Sequence, residues 1–433
     1  MSRRGLIIAG LSSSSGKTFI TLGVLRALRR HGASVAAAKT GPDYIDPGFH
    51  AAALGTASVN LDGFAMSGGL LRHLAASQDG EVLITEGVMG LYDGGDGSAV
   101  ALAQQLELPL VVVMDIRGQS ETAAELAAAL TSRLNETGVT LAGVILNRAR
   151  SPRHGEIIRA HCDALGVKVL GVVAECPEVE MPSRHLGLVQ AADLAAQSRL
   201  EAVLDQAAEA TAAGIDLDDL LAHAAPLPSP PSNVTEALPP LGQRIALAHD
   251  AAFGFSYAHV IDGWRRMGAE VSLFSPLADE PPRADADVIV LPGGYPELHL
   301  SALTTATTFR QGMAAAAARG CSIYGECGGY MVLGNAIIDG NGDAVPMLGL
   351  LNLTTSFAAP KRVLGYRQLT LLPGAPFALP PSARGHEFHF TQAVEEEGER
   401  LFHARDKSGA DLGAIGLKSG SVAGSYAHLI AAV

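Results

Sequence analysis

From Gly5 to about Val173, short β-branched apolar runs alternate with Ala- and Leu-rich stretches of helical character. The runs Leu6–Ala9, Val35–Ala38, Val82–Thr85, Leu110–Met114, Val144–Leu146 and Val169–Val173 predict strands. Strands that alternate with helices imply a parallel sheet covered on both faces, with ligands at the carboxyl ends of the strands. A further helical segment is predicted from Leu188 to about Ala213. Prolines then repeat, in Ala225-Pro226-Leu227-Pro228-Ser229-Pro230-Pro231-Ser232 and at Pro239-Pro240, denying the chain the hydrogen bonds of helix and sheet interior. After this expected linker the pattern restarts. Ile245–Ala248, Val271–Phe274 and Val288–Leu291 read as strands, Tyr257–Met267 as a helix, and Cys321–Tyr324 as a strand leading into a helix. Beyond Gly340 the spacing shortens and aromatic and glycine residues become frequent, which predicts antiparallel strands. The expected fold class is α/β: two α/β domains, at 1–224 and 243–433, joined by the Pro-rich segment 225–242.

Composition narrows the partners. The 433 residues suffice for two or three domains, and 48% hydrophobic against 17% charged residues excludes a disordered chain. With 31 basic and 44 acidic side chains the net charge is −13, so there is no electrostatic footprint for nucleic acid or an anionic membrane. A polyanionic ligand has to bind in a local pocket. The four cysteines, Cys162, Cys176, Cys321 and Cys327, form no CxxC pair, which fits a reducing compartment. The arginines of Ser2-Arg3-Arg4 hint at an export signal, but the apolar stretch ends at Leu11 in a run of serines, short of the ~7–15 residues such a signal needs. With no apolar run near the ~18 residues of a spanning helix, the expected compartment is the cytoplasm.

Directly after the first strand stands Gly10-Leu11-Ser12-Ser13-Ser14-Ser15-Gly16-Lys17-Thr18, opening a helix. Glycines let backbone N–H groups turn inward around phosphate, Lys17 supplies a cation, and the Thr18 hydroxyl is suited to Mg²⁺. These residues predict an ATP site formed by Ser12, Ser13, Ser14, Ser15, Gly16, Lys17 and Thr18. Lys39, ending the second strand, faces the same crevice and can screen charge passing between nucleotide and acceptor, although a strand-end lysine is commonly a solvated charge. Glu86 ends the third strand, where an acid holds Mg²⁺ or orients the attacking group. The Pro-braced loop Gly41-Pro42-Asp43-Tyr44-Ile45-Asp46-Pro47 presents two acids, and Asp93 and Asp96 follow in a Gly-rich stretch. Asn147 and Arg148, at a later strand end, are candidates for contacting the base.

In the second half, Gly325-Glu326-Cys327-Gly328-Gly329 has the shape of a nucleophile elbow between strand and helix, and the helix N-terminus is expected to lower the thiol pKa. Leu291-Pro292-Gly293-Gly294-Tyr295-Pro296-Glu297 leaves a strand in a glycine turn, making Gly294 and Gly328 the candidate oxyanion donors. The candidate base is His428, in Gly424-Ser425-Tyr426-Ala427-His428.

Together these residues carry a resemblance. The elbow, the Pro-Gly-Gly-Tyr-Pro-Glu turn and His428 resemble a class I glutamine amidotransferase of the cobalamin-pathway type. The Gly-x5-Gly-Lys-Thr loop, of the form seen in dethiobiotin-synthetase-like enzymes, Lys39 to Asp46, Asn60-Leu61-Asp62 and Arg184-His185-Leu186-Gly187-Leu188 resemble the synthetase half of the cobyrinic or hydrogenobyrinic acid a,c-diamide synthase family. So do Leu364-Gly365-Tyr366 and Arg384-Gly385-His386-Glu387-Phe388-His389. The resemblance implies an N-terminal P-loop parallel-sheet domain, a C-terminal class I glutamine amidotransferase domain, and ATP-dependent amidation of two corrinoid carboxylates by ammonia from glutamine. Mg²⁺ is expected on Thr18, Asp46 and Glu86, with Asp43, Tyr44 and Asp93 toward the corrinoid; for Asp43 and Asp46 metal binding and orienting the corrinoid carboxylate are both open. The oligomeric state stays open, a homodimer among the options.

Two departures bear on the chemistry. Ordinary class I amidotransferases carry an acid two residues after the histidine, where this chain has Ile430, so a Cys327–His428 dyad is expected, with Glu387 the alternative third member. Ser183 stands where the family commonly has Glu. A CTP-forming amidotransferase is built similarly but is longer and retains the acid. Cobyric acid synthase amidates other side chains of the same macrocycle, and the Asp-Tyr-Ile-Asp-Pro loop points away from it. A partner-binding ATPase has no need of the elbow.

Overall fold

The computed structural model describes residues 3–176, 183–184, 187–188, 191, 198–232 and 234–433. They divide into two compact units, Met1–Thr235 and Glu236–Val433.

The first unit alternates β1 (Arg4–Gly10), α1 (Lys17–Arg30), β2 (Val35–Thr40), α2 (Asp46–Leu54), β3 (Val59–Leu61), α3 (Gly68–Ala76), β4 (Val82–Glu86), α4 (Ala99–Leu106), β5 (Leu110–Asp115), α5 (Thr122–Glu136), β6 (Leu141–Ala149), α6 (Pro152–Ala164) and β7 (Val169–Ala174). The strands make a parallel sheet in the order β3-β2-β4-β1-β5-β6-β7. Every residue of β2, and all of β1 after Arg4, is buried, as expected of strands covered on both faces. Each fully enclosed Ile or Leu of β1 contributes about 1.5–3 kcal/mol of hydrophobic stabilisation. β2 and β3 lie to one side of β1 and β5 to β7 to the other, so the crevice beyond the carboxyl end of β1 is the ligand-binding position of such sheets.

The helix expected from Leu188 is described over Leu200–Gly214. Leu188 instead belongs to a small antiparallel ladder, β8 (Ser183–Arg184) with β9 (Gly187–Leu188). His185 and Leu186 of that motif lie outside the described residues. The Pro-rich segment is anchored at both ends. β10 (Ala225–Pro226) pairs antiparallel with Gly5 and Arg4, and the Leu227 amide donates to the Arg3 carbonyl at 2.8 Å. In the second unit Ala237, Leu238 and Leu241 are buried, and Trp264 Nε1 donates to the Pro239 carbonyl at 3.1 Å.

The second unit contains β11 (Arg244–Ala248), β12 (Glu270–Phe274), β13 (Val288–Leu291), β14 (Ser322–Glu326), β15 (Ala336–Ile338), β16 (Ala344–Pro346), β17 (Leu353–Ser356), β18 (Val363–Leu371), β19 (Ser382–His389), β20 (Gln392–Glu396), β21 (Glu399–Asp406), β22 (Asp411–Ser419), β23 (Val422–Ser425) and β24 (His428–Ala432). Its main sheet has ten strands, β12-β11-β13-β14-β23-β22-β21-β18-β19-β24. The first five are mutually parallel and the rest pair antiparallel, in line with the change of texture after Gly340. Phe253, Phe309, Met313, Tyr330 and Leu333 fill the core beside β13 and β14 and hold the carboxyl ends of these two strands in place.

Candidate active sites

In the first unit the loop after β1 closes over its own backbone. Ser14 and Gly16 both adopt left-handed backbone, with φ of 63° and 88°, which turns successive N–H groups to one side. Lys17, almost fully buried, donates from Nζ to the Ser12 carbonyl at 3.0 Å and so spans the loop. Burial and the neighbouring Lys39 charge push its ammonium below the ordinary value. Asn147, expected to meet the base, is turned to the loop: its Nδ2 donates to the Ser15 carbonyl at 3.1 Å, and a Cβ at Gly16 would overlap it. Arg148 Nη1 donates to the Ser14 carbonyl and to Asp115, both at 2.7 Å.

Parallel register sets Lys39 of β2 beside Glu86 of β4, because the two strands end level. Around the fully buried Glu86 the donors converge. Thr18 Oγ1 donates to Oε1 at 2.7 Å, Lys39 Nζ to the same oxygen at 3.0 Å, and His50 Nε2 meets Oε2 at 2.7 Å. Lys39 also contacts Asp46 Oδ2 at 2.6 Å. Burial alone raises a carboxyl group, but Lys39, His50 and Thr18 outweigh it and hold Glu86 well below the usual carboxylate range. Lys39 is held above its ordinary value because the charges of Asp46, Glu86 and Asp43 overcome its burial. Asp46 carries the excess: burial and the Asp43 charge push it up against the pull of Lys39. Glu86, Asp46 and the Thr18 hydroxyl bring hard oxygen donors together at Lys39, the donor type Mg²⁺ takes, although among the described residues no group of three or more His, Cys, Asp or Glu side chains stands ready to hold a metal ion.

The rest of this crevice is braced by its own motifs. Asp43 Oδ1 accepts from the Ile45 and Asp46 amides at 2.8 and 3.2 Å and starts α2. Asn60 Nδ2 donates to the Gly41 and Asp43 carbonyls, and Asp62 Oδ1 accepts from the Phe64 and Ala65 amides. Asp93 Oδ2 accepts from the Gly90 amide at 2.8 Å, while Tyr44 is buried.

In the second unit β14 ends at Glu326 and the chain turns at Cys327, with φ 48° and ψ −109°, into the short helix Gly328–Leu333. Positive φ at a non-glycine residue costs of order 1–3 kcal/mol and persists only where packing imposes it. The imposition is visible: a Cβ at Gly329 would overlap the Leu291 carbonyl at the end of β13. A Cβ at Gly328 would stand 3.0 Å from the Gly294 nitrogen, so the two proposed donor segments are in contact. Gly293 joins Cys327 to His428, since a Cβ there would lie 3.1 Å from Cys327 Cβ and 2.9 Å from His428 Nε2. Cys327 and His428 are thus brought together from distant sequence, both buried.

The thiol is not depressed as expected from the helix N-terminus. Burial, then the Glu297 charge, pushes it above its ordinary value, with the Gly328 amide only partly offsetting them. His428 is lowered to about 3 by burial and by His386 and His389, which leaves a neutral imidazole beside a neutral thiol. Phe255, Tyr295, Phe357, Phe388 and His389 line the cleft over the sulfur together with Glu297.

Glu387, the alternative third member, is engaged elsewhere: Arg367 grips its Oε2 through Nε at 2.8 Å and Nη2 at 2.6 Å. The acid at His428 is Glu326, whose Oε2 lies 3.8 Å from Nδ1. Sequence reasoning missed this residue and His50. A signal existed for His50, which follows Asp46 by four residues and shares its helix face. Glu326 occupies the variable position of the elbow, where residue type carries no signal by itself.

Residues 6–189 match the CobQ/CobB/MinD/ParA nucleotide binding domain, and residues 244–432 the CobB/CobQ-like glutamine amidotransferase domain. The chain is 50% identical over 435 residues to the hydrogenobyrinate a,c-diamide synthase of Brucella suis biovar 1, covering 99% of this chain and 98% of that one. It is 48% identical over 432 residues to that of Rhizobium meliloti, covering 98% and 99%. With the Rhodobacter capsulatus protein of the same name the identity is 47% over 437 residues, covering 99% of each. Identity at this level runs through both the phosphate-loop unit and the elbow unit, and the chain therefore belongs to the hydrogenobyrinate a,c-diamide synthase family.

Proposed function

We propose that this chain converts two carboxylates of hydrogenobyrinate, a and c, to amides, using ATP and glutamine. The observation that carries this reading is the presence of two chemically complementary sites in one chain: a phosphate loop facing the Glu86–Lys39–Asp46 cluster, and a strained cysteine sharing Gly293 with a histidine.

A carboxylate does not react with ammonia until a leaving group is installed. In the first unit the loop from Ser12 to Thr18 and Lys17 hold the ATP phosphates, and transfer of the γ-phosphoryl to a corrinoid carboxylate gives an acyl phosphate and ADP. Thr18, Asp46 and Glu86 would hold Mg²⁺, which when bound neutralises phosphate charge. Lys39 steadies negative charge moving between nucleotide and acceptor. Asp43, Tyr44 and Asp93 face the corrinoid, and Asn147 acts on the nucleotide through its grip on the loop.

In the second unit Cys327 Sγ attacks the glutamine amide carbon as its proton passes to His428 Nε2. The Gly294 and Gly328 amides stabilise the oxyanion. Collapse expels ammonia, which takes the proton from Nε2, and water hydrolyses the remaining thioester to glutamate. Glu297 supplies the negative charge in the cleft that the glutamine α-ammonium seeks. Ammonia then attacks the acyl phosphate, and phosphate leaves.

The test is mass spectrometry of hydrogenobyrinate incubated with the enzyme, ATP, Mg²⁺ and glutamine. Two acid-to-amide exchanges are expected, each with one ATP and one glutamine consumed. Absence of exchange with active glutaminase would overturn the assignment of substrate.

A further inference from the structure

Class I chemistry ordinarily holds the base histidine with an acid two residues further along, a place taken here by the buried Ile430. Such an acid fixes the tautomer that leaves Nε2 able to accept a proton, and it stabilises the imidazolium that forms. Around His428 the structure offers a substitute from another direction. Its ring sits with Nε2 against Gly293, which also borders Cys327, and with Nδ1 toward Glu326 Oε2 at 3.8 Å. Glu326 is itself fixed, because Oε1 accepts from the Leu429 amide at 3.0 Å, one residue beyond the histidine it faces.

We propose that Glu326, the residue immediately before the nucleophile, is the positioning carboxylate for His428, reaching Nδ1 from the elbow strand instead of from the strand that carries the histidine. This deepens the assignment of Cys327 and His428 to glutamine hydrolysis and rests on it. The elbow geometry makes the arrangement available. β14 and β23 run parallel with Glu326 level with Ser425, and β24 begins three residues later at His428. One strand end therefore delivers the acid to one side of the imidazole and the nucleophile to the other. At 3.8 Å the contact is longer than a hydrogen bond, so the carboxylate acts on Nδ1 through its charge.

The surrounding charges make the proton on Nδ1 depend on this acid. His386, the cross-strand partner of His428, and His389 both disfavour a positive ring. Glu297 and Glu387 act on Cys327, and Arg367 holds Glu387. Beside Glu326 stand Tyr324 on its own strand and His428 on β24. Burial, offset in part by Leu429 and Tyr324, places the Glu326 carboxyl at about 7. Below that pH it is neutral and gives the imidazolium no counter-charge; above it the carboxylate does. Glutamine hydrolysis gains a rising limb near pH 7, whereas His428 itself titrates at about 3 and the thiol lies far above.

The test measures glutaminase kcat/KM from pH 5.5 to 8.5 in the full-length wild type, Glu326→Gln and Cys327→Ser. Glu326→Gln should lower kcat by about 10- to 100-fold with little change in KM and abolish the limb near pH 7. The loss is less than the ~10⁴-fold cost of altering the acid that hydrogen-bonds a triad histidine, because the contact here is longer. Glu326→Asp should restore part of the limb. Fluorescence of the buried Trp264, in the same unit, reports that each variant has folded. A Glu326→Gln enzyme with wild-type rate and limb overturns this proposal alone, whereas glutamine hydrolysis surviving in Cys327→Ser overturns the site assignment beneath it.

Discussion

At the scale of single residues the two units obey opposite electrostatics. Glu86 is buried yet firmly ionised, since Thr18, Lys39 and His50 all donate to it. Cys327 and His428 are buried and both neutral, since burial is reinforced by Glu297 at the thiol and by His386 and His389 at the imidazole. In the proposed glutaminase step this neutral pair has to transfer a proton during the attack on glutamine, so both members are expected to be required together and only for that reaction. Cys327→Ser is expected to abolish glutamine-dependent amidation while amidation driven by added ammonium salt persists, because the synthetase chemistry needs NH₃ and not its source. His428→Ala should lower glutaminase turnover by ~10²–10⁴-fold, the range for a positioned base. Comparing amide formation with glutamine and with ammonium salt checks both. Equal loss of the two activities in a folded variant would remove Cys327 from the glutaminase role.

At the scale of elements, the second unit surrounds its active strands with histidines that refuse protons. Burial lowers His259 and His389 to about 4 and His428 to about 3, from an ordinary 6.5. The sign follows directly. The unfolded chain binds these protons once the pH drops below about 6.5 and the folded chain does not, so stability is lost as pH falls from there toward 4. Trp264, the single tryptophan, is buried in this unit, so its fluorescence reports the transition. The urea midpoint should fall steeply between pH 6.5 and 5, and an unchanged midpoint would contradict neutral burial of these rings. The same packing explains what was legible in the sequence. The long strands were visible because enclosure on both faces demands unbroken apolar runs, and the two loops because phosphate and a strained nucleophile demand glycine at fixed spacing. β3 escaped notice, since Val59–Leu61 is only three residues and its Asn60 is spent on the Gly41 and Asp43 carbonyls. The partnership of Glu326 with His428 was not legible because it depends on register between β14 and β23, which local pattern does not encode. Of the helical segment predicted from Leu188, Leu200–Gly214 is helical, Leu188 itself pairs in a short ladder, and 189–190 and 192–197 lie outside the described residues.

At the scale of the whole molecule, one chain carries two reactions with separate requirements, and a change at the phosphate loop should divide them. Lys17 spans that loop through the Ser12 carbonyl, and the proposed mechanism assigns it to the transferring phosphoryl group. Lys17→Ala removes a charge-assisted contact worth roughly 3–4 kcal/mol in the transition state, a loss of several hundred-fold. It leaves the Thr18–Glu86 and Lys39–Asp46 contacts standing, so the sheet end should keep its structure. Amidation should therefore fail with glutamine and with ammonium salt alike, in contrast to Cys327→Ser, where only the glutamine route is lost. Glutamine hydrolysis should survive in Lys17→Ala as a basal activity uncoupled from product, because Cys327, His428 and Gly293 all belong to the other unit. Measuring glutamate, ADP and corrinoid amide in the same reaction separates the outcomes: glutamate forms while ADP and amide do not. Ammonia-driven amidation at near wild-type rate in Lys17→Ala would mean that this loop does not hold the activating nucleotide, and the acyl-phosphate mechanism would have to be sought at another site.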